Sequence, residues 1–117
     1  MKLTLVDHSW KTEENEVLTR DVFEIGSYTV KRICHFNQKN ELIFKNYSIT
    51  TDMSKKYVPE IYYEEKMGIV NGSIVRNESF EIQTTAYGPK SAEEIEKIIA
   101  GYQEAVEVVR ILNKEFC

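Results

Sequence analysis

The sequence predicts an α+β fold, an antiparallel β-meander of six or seven strands, bent or partly closed, packed on one long C-terminal α-helix. Short strand-like segments bounded by turn residues occupy residues 1–88, and one sustained helical pattern follows over residues 91–116. A chain of 117 residues has the size of one domain. We therefore expect residues 1–117 to form a single domain.

The C-terminal helix has the clearest local signals. Ser91 and Glu94 form a capping box, a pattern that satisfies backbone donors in the first helical turn. Gly101 lies within this helix, where glycine is less favourable than alanine, and such a glycine is typical of a close packing contact. Large apolar residues recur at three- and four-residue spacing and predict one buried stripe: Ile95, Ile98, Ile99, Tyr102, Val106, Val109, Leu112 and Phe116.

Tight turns divide the strand region. Gly26-Ser27 predicts a two-residue hairpin between residues 22–25 and 28–36, because glycine stands first in the turn. Residues 37–40 predict a second turn, which leads into a strand over residues 41–51. Weaker strands are predicted over residues 2–6, 58–65, 67–70, 74–76 and 79–87, with a further hairpin turn at Asn71-Gly72.

These turns predict how the strands align. If Ile25 faces Tyr28, then Asp21 faces Arg32 on the next strand. If Phe36 faces Glu41, then Arg32 faces Lys45. One face of the sheet then collects apolar side chains, which we expect the helix to cover: Phe23, Ile25, Tyr28, Val30, Cys34, Phe36, Ile43, Tyr47 and Ile49.

Asp21, Arg32 and Lys45 form a charged row across that apolar face. One interpretation is a ligand site, in which Arg32 and Lys45 receive an anionic group. The other is structural, since opposite charges on neighbouring strands commonly pair. The sequence leaves both interpretations open.

The other face of the sheet turns apolar at one end, where Leu18, Ile33, Leu42 and Phe44 surround His35. One helix cannot cover both faces of a sheet, so either later strands or another chain cover this cluster. We therefore predict a partner-binding surface here, with a second copy of the chain as one candidate partner. Tyr62 and Tyr63 are a further candidate contact site, although tyrosines with one wet end are also common in strands.

The sequence shows no pattern typical of an enzyme. Asp7-His8-Ser9 contains the residue types of a hydrolase triad, but neighbours on an extended chain point in different directions, so we interpret this segment as a turn. The two histidines and two cysteines lack metal-binding spacing, and no glycine-rich phosphate loop occurs. We expect no metal and no cofactor.

Composition narrows the classes of partner. The 19 acidic residues outnumber the 15 basic residues, which disfavours direct nucleic-acid binding through phosphate neutralisation. No apolar run reaches the ~20 residues of a membrane-spanning helix. The acidic residue Asp7 occurs near the start of the sequence, before any apolar run develops. We therefore expect no signal peptide and a cytoplasmic protein.

Three functions are compatible with these features. The first is a small non-catalytic binding or adaptor protein that acts through protein–protein contacts, with a homodimer as one form. The second is an acidic inhibitor or decoy of a nucleic-acid-binding enzyme. It would use the acids at Glu60, Glu64, Glu65, Glu93, Glu96, Glu104 and Glu107. The third is a small-ligand carrier or enzyme with a cavity between helix and sheet.

Overall fold

The computed structural model describes residues 1–52, 57–84, 88 and 90–117 and confirms the α+β prediction. Six strands form antiparallel meanders in two sheets, and one long helix follows them. The end of the strand predicted over residues 79–87 lies outside the described residues. The elements are β1 (Thr4–Glu13), β2 (Glu16–Ile25), β3 (Tyr28–Phe36), β4 (Leu42–Thr51), β5 (Ile61–Val70), β6 (Ser73–Ile82) and α1 (Ala92–Phe116).

The chain divides into two compact units, Met1–Ser54 and Lys55–Cys117. The first unit contains a four-stranded sheet with the order β1-β2-β3-β4. The second contains the two-stranded sheet β5-β6 and helix α1, which packs against β6. That residues 1–117 form a single domain stays a prediction.

Tight turns set the register of the first three strands. Glu14 and Asn15 both have positive φ, the geometry of a type I′ turn, and they join β1 to β2 with Glu13 opposite Glu16. Gly26 has positive φ in the next turn and places Ile25 opposite Tyr28. The predicted alignment of β2 with β3 is confirmed, because a two-residue loop leaves no freedom of register.

Strand β1 is longer than the sequence suggested. Residues 2–6 were expected to be a short strand that ends in a turn at residues 7–9, but β1 continues to Glu13. Glutamate at positive φ is uncommon, so Glu14 gave no turn signal. The strand also contains a bulge between Leu5 and Asp7.

The alignment of β3 with β4 differs from the prediction by two residues. The backbone amide of Asn37 donates to the carbonyl of Glu41, so the loop is one position longer than a Phe36–Glu41 closure. A bulge between His35 and Phe36 adds a second position. Two single shifts cancel in their effect on side-chain direction, since strand side chains alternate with a period of two.

One face of the first unit is buried, and we call it the Tyr28 face. Its buried residues include those predicted to be inside: Ile25, Tyr28, Val30, Cys34 and Tyr47. Ile43 was predicted here as well but is 52% exposed, because the bulge removes it from the position opposite Cys34. That α1 covers this face stays a prediction.

The second unit is built on one long hairpin. Residues 67–70 and 74–76 were predicted as separate short strands, but β5 and β6 run without a break over ten residues each. Asn71 and Gly72 both have positive φ, so the predicted hairpin turn is confirmed as type I′. At the base of the hairpin Ile61 and Phe80 are buried, whereas Ile74 near its tip is 70% exposed.

The buried stripe of α1 uses smaller residues than predicted. Ala105, Val108 and Leu112 are fully buried, whereas the predicted core residues Ile95, Ile99 and Val106 are exposed. A Cβ built on Gly101 would lie 1.9 Å from the carbonyl oxygen of Tyr57, which confirms a close contact at this glycine. Small residues allow close backbone approach. The prediction that the largest apolar residues are the buried ones was therefore wrong for Ile95, Ile99 and Val106.

The ends of α1 are fixed by side chains. The Ser91 hydroxyl accepts a 3.1 Å hydrogen bond from the Glu94 amide, as the capping pattern predicted. Near the other end, the Asn113 carboxamide oxygen accepts a 2.7 Å bond from the Phe80 amide. This second bond ties the helix to the base of the hairpin.

Candidate functional site

A polar row crosses the Tyr28 face of the four-stranded sheet. The register places His8, Asp21, Arg32 and Tyr47 opposite one another on consecutive strands. One carboxylate oxygen of Asp21 contacts His8 Nδ1, and the other accepts a 2.9 Å bond from Arg32 Nη2. The predicted pairing of Asp21 with Arg32 is therefore confirmed.

The row carries its own charge compensation. Burial opposes ionisation of Asp21, but hydrogen bonds from His8 and Arg32 outweigh it and hold the pKa of this carboxyl below its ordinary value. The Arg32 guanidinium also lies 5.3 Å from the centre of the Phe23 ring. Both carboxylate oxygens of Asp21 have partners within the sheet, which favours the structural interpretation of this row.

Lys45 does not lie where the predicted pairing of β3 with β4 placed it. It is opposite Cys34, and Tyr47 takes the position opposite Arg32. The Lys45 amine lies 5.8 Å from the centre of the Tyr47 ring. The structure thus does not place Arg32 and Lys45 opposite each other, and an anion-binding role for Asp21, Arg32 and Lys45 stays a prediction.

His8 and Tyr47 were absent from the predicted row, and His8 brings a histidine into contact with the Asp21 carboxylate. A histidine held by a buried carboxylate is also the arrangement that orients a general base. Its presence in the row depends on β1 extending to Glu13, and the turn that permits this extension has a weak signal. Asn15, which tolerates positive φ, was the one indication of that turn.

The second face of this sheet contains the predicted apolar cluster. We call it the Leu18 face. Leu18, His35 and Phe44 are opposite one another on β2, β3 and β4, and Ile33 lies in the adjacent row beside Arg20. Phe44 is 53% exposed and Ile33 is 37% exposed. Within the described residues the cluster is therefore open to solvent.

A groove runs along the Leu18 face where β1, β2 and β3 meet. Its volume is about 240 Å³. Leu18 and Ile33 supply apolar surface, and Lys11 and Arg20 supply cationic groups beside it. The remaining lining residues are Ser9, Trp10 and Thr19. This combination suits an apolar side chain with acidic neighbours.

Two of the predicted cluster members, His35 and Leu42, differ from the others in their surroundings. His35 Nε2 lies 2.5 Å from a Glu16 carboxylate oxygen, so His35 has an acidic partner at the margin of the cluster. Leu42 is exposed but lies opposite Phe36, at the bulge. The bulge thus removes Leu42 from the row formed by Leu18, His35 and Phe44.

The two candidate tyrosines lie on opposite faces of the β5-β6 hairpin. The ring centre of Tyr63 lies 5.4 Å from that of Phe80, with the two rings tilted, and the Tyr63 hydroxyl donates a 2.6 Å hydrogen bond to Glu78. Tyr62 is 46% exposed, and its hydroxyl donates to Glu60. That hydrogen bond raises the pKa of Tyr62. Tyr63 thus supports the hairpin base, and Tyr62 alone presents much of its ring to solvent.

A second groove lies on helix α1. It has a volume of about 470 Å³ and is lined by Ile98, Ile99, Tyr102, Gln103, Val106 and Arg110. All these residues belong to one helix, so the groove is an open helix face, whereas residues from three strands line the groove on the Leu18 face. Neither groove is lined by Asp21, Arg32 or Lys45.

Three further findings concern metal binding, membrane spanning and similarity to known proteins. Among the described residues, no group of three or more His, Cys, Asp or Glu is arranged to hold a metal ion. In the same part of the chain, no helix combines the length and apolar character needed to cross a membrane. No protein-family model matches the sequence, and no curated protein or solved structure is significantly similar to it.

Proposed function

We propose that this chain is a small, non-catalytic, cytoplasmic binding or adaptor protein. Its partner is another protein, which inserts an apolar side chain into the groove on the Leu18 face. The observation that carries the proposal is this groove, with its apolar surface from Leu18 and Ile33 and its cationic groups Lys11 and Arg20. The partner segment has Asp or Glu beside its apolar residue.

The dimensions of the groove favour a protein segment over a small ligand. Pockets for small molecules usually have volumes of about 300–1,000 Å³. The groove on the Leu18 face has about 240 Å³, room for one or two side chains. Apolar anchors that enter such depressions contribute much of the affinity of protein interfaces.

The exposure of Phe44 extends the binding surface beyond the groove. Phe44 and Ile33 lie on the same face and are 53% and 37% exposed. Large apolar and aromatic side chains are enriched at the centre of interfaces, where burial on binding stabilises the complex. Phe44 therefore contacts the partner beside the inserted residue.

The charge pattern favours this proposal over an acidic decoy. Two of the acids that would form a negative surface pair with neighbouring bases. Glu93 lies 3.6 Å from Lys97, and Glu65 lies 3.8 Å from Arg76. A decoy of nucleic acid needs a contiguous negative potential, which interspersed bases reduce.

A displayed library of random peptides tests the proposal. Wild-type protein should enrich peptides with one large apolar residue flanked by Asp or Glu. Their affinity should fall about tenfold or more for Ile33→Asp, which introduces a negative charge into the groove. Ile74→Asp is the matched control, since Ile74 is an exposed isoleucine of the second unit and this variant should bind normally.

Two results would overturn the proposal. One is a selection that enriches no such peptides from the wild-type protein. The other is enriched peptides that bind Ile33→Asp and the wild type equally well. Circular dichroism of each variant must match the wild type, so that loss of folding is not mistaken for loss of binding.

A further inference from the structure

Strand β1 forms an edge of the four-stranded sheet and offers its outer side to solvent. It is the terminal strand in the order β1-β2-β3-β4, where it pairs with β2, and all ten of its residues are exposed. The opposite edge strand, β4, is less open, because Tyr47 is buried. An exposed edge strand presents backbone amides and carbonyls that can pair with another strand.

The hairpin geometry identifies which backbone groups point outward. In a two-residue hairpin the residues that flank the turn form a hydrogen-bonded pair, and bonded pairs then alternate along the strands. Glu13 and Glu16 flank the Glu14-Asn15 turn. The amides of residues 7, 9, 11 and 13 therefore point toward β2, and those of His8, Trp10 and Thr12 point to the outer side.

The charges along β1 are complementary to themselves. If two copies of β1 pair antiparallel with Ser9 opposite Ser9, then Asp7 lies opposite the partner's Lys11 in both directions. His8 and the partner's Trp10 then form the hydrogen-bonded pairs, since both have outward amides. Lys11 has 68% of its side chain exposed and forms a surface contact with Glu13, so its long side chain can also reach the partner's Asp7.

Other registers lack this match. A register shifted by one residue pairs an outward amide with one that is already directed toward β2. Centring the pair on Trp10 places Asp7 against the partner's Glu13, two like charges that repel. Centring it on His8 places Lys11 against the partner's Leu5, so the charge pairs are lost. The bulge between Leu5 and Asp7 further confines regular pairing to residues 7–11.

We propose that two copies of this chain associate through β1, in the antiparallel register that places Ser9 opposite Ser9. The two four-stranded sheets then form one continuous eight-stranded sheet. The two-fold axis is perpendicular to that sheet, so both Leu18 faces lie on the same side. The interface depends on the edge of β1 and does not require a partner protein to bind the groove.

Disulfide trapping tests the register directly. Ser9→Cys is combined with Cys117→Ser to remove the exposed native thiol. Facing residues of a non-hydrogen-bonded antiparallel pair have Cα atoms about 4.5 Å apart, within the range for a disulfide. We expect most of this variant to become a covalent dimer under mild oxidation.

Cysteines at other positions give the matched controls. Two Lys11 residues would be about 13 Å apart, four residues along the strand, so Lys11→Cys alone should not cross-link. A mixture of Asp7→Cys and Lys11→Cys chains should cross-link with each other. Lys39→Cys, in the exposed loop before β4, reports random collision. If Ser9→Cys cross-links no faster than Lys39→Cys, the β1 interface is wrong.

Charge exchange provides a test without cysteine chemistry. By sedimentation of the intact chain, Lys11→Asp should weaken dimerisation about tenfold, because two attractive pairs become repulsive. Adding Asp7→Lys should restore most of the affinity. A wild-type chain that stays monomeric, or a dimer unaffected by Lys11→Asp, would overturn the proposal. Peptide binding is measured on the wild type and on Asp7→Lys, which breaks the same charge pairs but leaves every groove-lining residue unchanged, so this outcome is distinguished from failure of the groove proposal.

Discussion

The two units each contain a long hairpin with a type I′ turn, but the hairpins are supported in different ways. Strands β1 and β2 belong to a four-stranded sheet, and cross-strand contacts with β3 and β4 hold their register. Strands β5 and β6 pair with each other, and α1 supports the base through Asn113 and Phe116. In one unit neighbouring strands provide the support, and in the other a helix does.

This difference decides where apolar side chains stay exposed. In the second unit one group lies at the hairpin tip, far along the strands from the buried Phe80, and another lies on α1; the tip group comprises Met67, Ile69, Val70 and Ile74. In the first unit Ile33 and Phe44 are exposed on the Leu18 face, where Ile33 lines a groove with Lys11 and Arg20. Compared with the hairpin tip, the Leu18 face combines a depression with charged groups, so it is the better candidate for specific recognition.

The largest expected effect concerns the base of the second hairpin. Phe80→Ala should lower the free energy of unfolding by about 3–5 kcal/mol, because it removes a fully buried ring that contacts Tyr63 and Phe116. Ile74→Ala, at the 70% exposed tip, should cost less than about 0.5 kcal/mol. Urea denaturation measures both. Equal effects would show that the tip is packed as tightly as the base.

The polar row should provide the next largest effect, in the first unit. Asp21→Asn should cost about 1–3 kcal/mol at neutral pH, because Arg32 loses its charged partner beside a buried position. The folded-state pKa of Asp21 is below its ordinary value, so its stabilisation is present at neutral pH and is lost as the pH falls below about 4.

Unfolding measured against pH tests this assignment. Wild-type protein should lose stability on acidification more steeply than Asp21→Asn, so their difference should shrink as the pH falls. Glu64→Gln, an exposed acid of the second unit, is the control. A difference that stays constant from neutral to acidic pH would contradict a charge-based role for Asp21.

A pair of glycines compares the helix contact with the hairpin strand. Gly101→Ala should destabilise the protein by about 1–2 kcal/mol, because a Cβ would meet the Tyr57 carbonyl at 1.9 Å and this clash exceeds the gain in helix propensity. Gly68→Ala in β5 has open space around its Cβ and should not destabilise. Thermal unfolding of both variants decides the matter. A stabilised Gly101→Ala would mean that the close contact is absent.

The smallest effect is expected at the start of α1. Ser91→Ala should cost about 1 kcal/mol, since the Glu94 amide loses its hydrogen-bond acceptor. Ser91→Asp should keep most of the stability, because aspartate is an equally good N-cap residue. Denaturant midpoints of the two variants should therefore differ in that order, and the reverse order would be inconsistent with capping by Ser91.

Local signals predicted the parts of the fold that local chemistry determines. The Gly26-Ser27 and Asn71-Gly72 turns and the Ser91 cap depend on a few adjacent residues, and all three were recognised from sequence. Glu14 has no such signature, so the length of β1 and the position of His8 were missed. The bulge beside Phe36 likewise has no composition cue, and it moved Lys45 and Leu42 from their expected neighbours.

Packing direction was harder to predict than secondary structure. Periodicity identified α1 correctly, but it assigned the buried stripe to the largest apolar residues. The close contact at Gly101 and the burial of Ala105 depend on how near another backbone approaches, and no sequence pattern measures that distance. For the candidate site, alternation identified Leu18, Ile33 and Phe44 on one face, whereas Lys11 joined the groove through the unpredicted part of β1.

The most direct test of the binding role is to map a selected peptide onto the protein by nuclear magnetic resonance. An apolar peptide with acidic flanks is titrated into isotope-labelled protein, and backbone amide shifts are followed residue by residue. The account predicts the largest shifts at Leu18, Arg20 and Ile33, with little change along α1 or at the hairpin tip. Shifts concentrated on Ile99 and Val106 of α1, or none at saturating peptide, would contradict it.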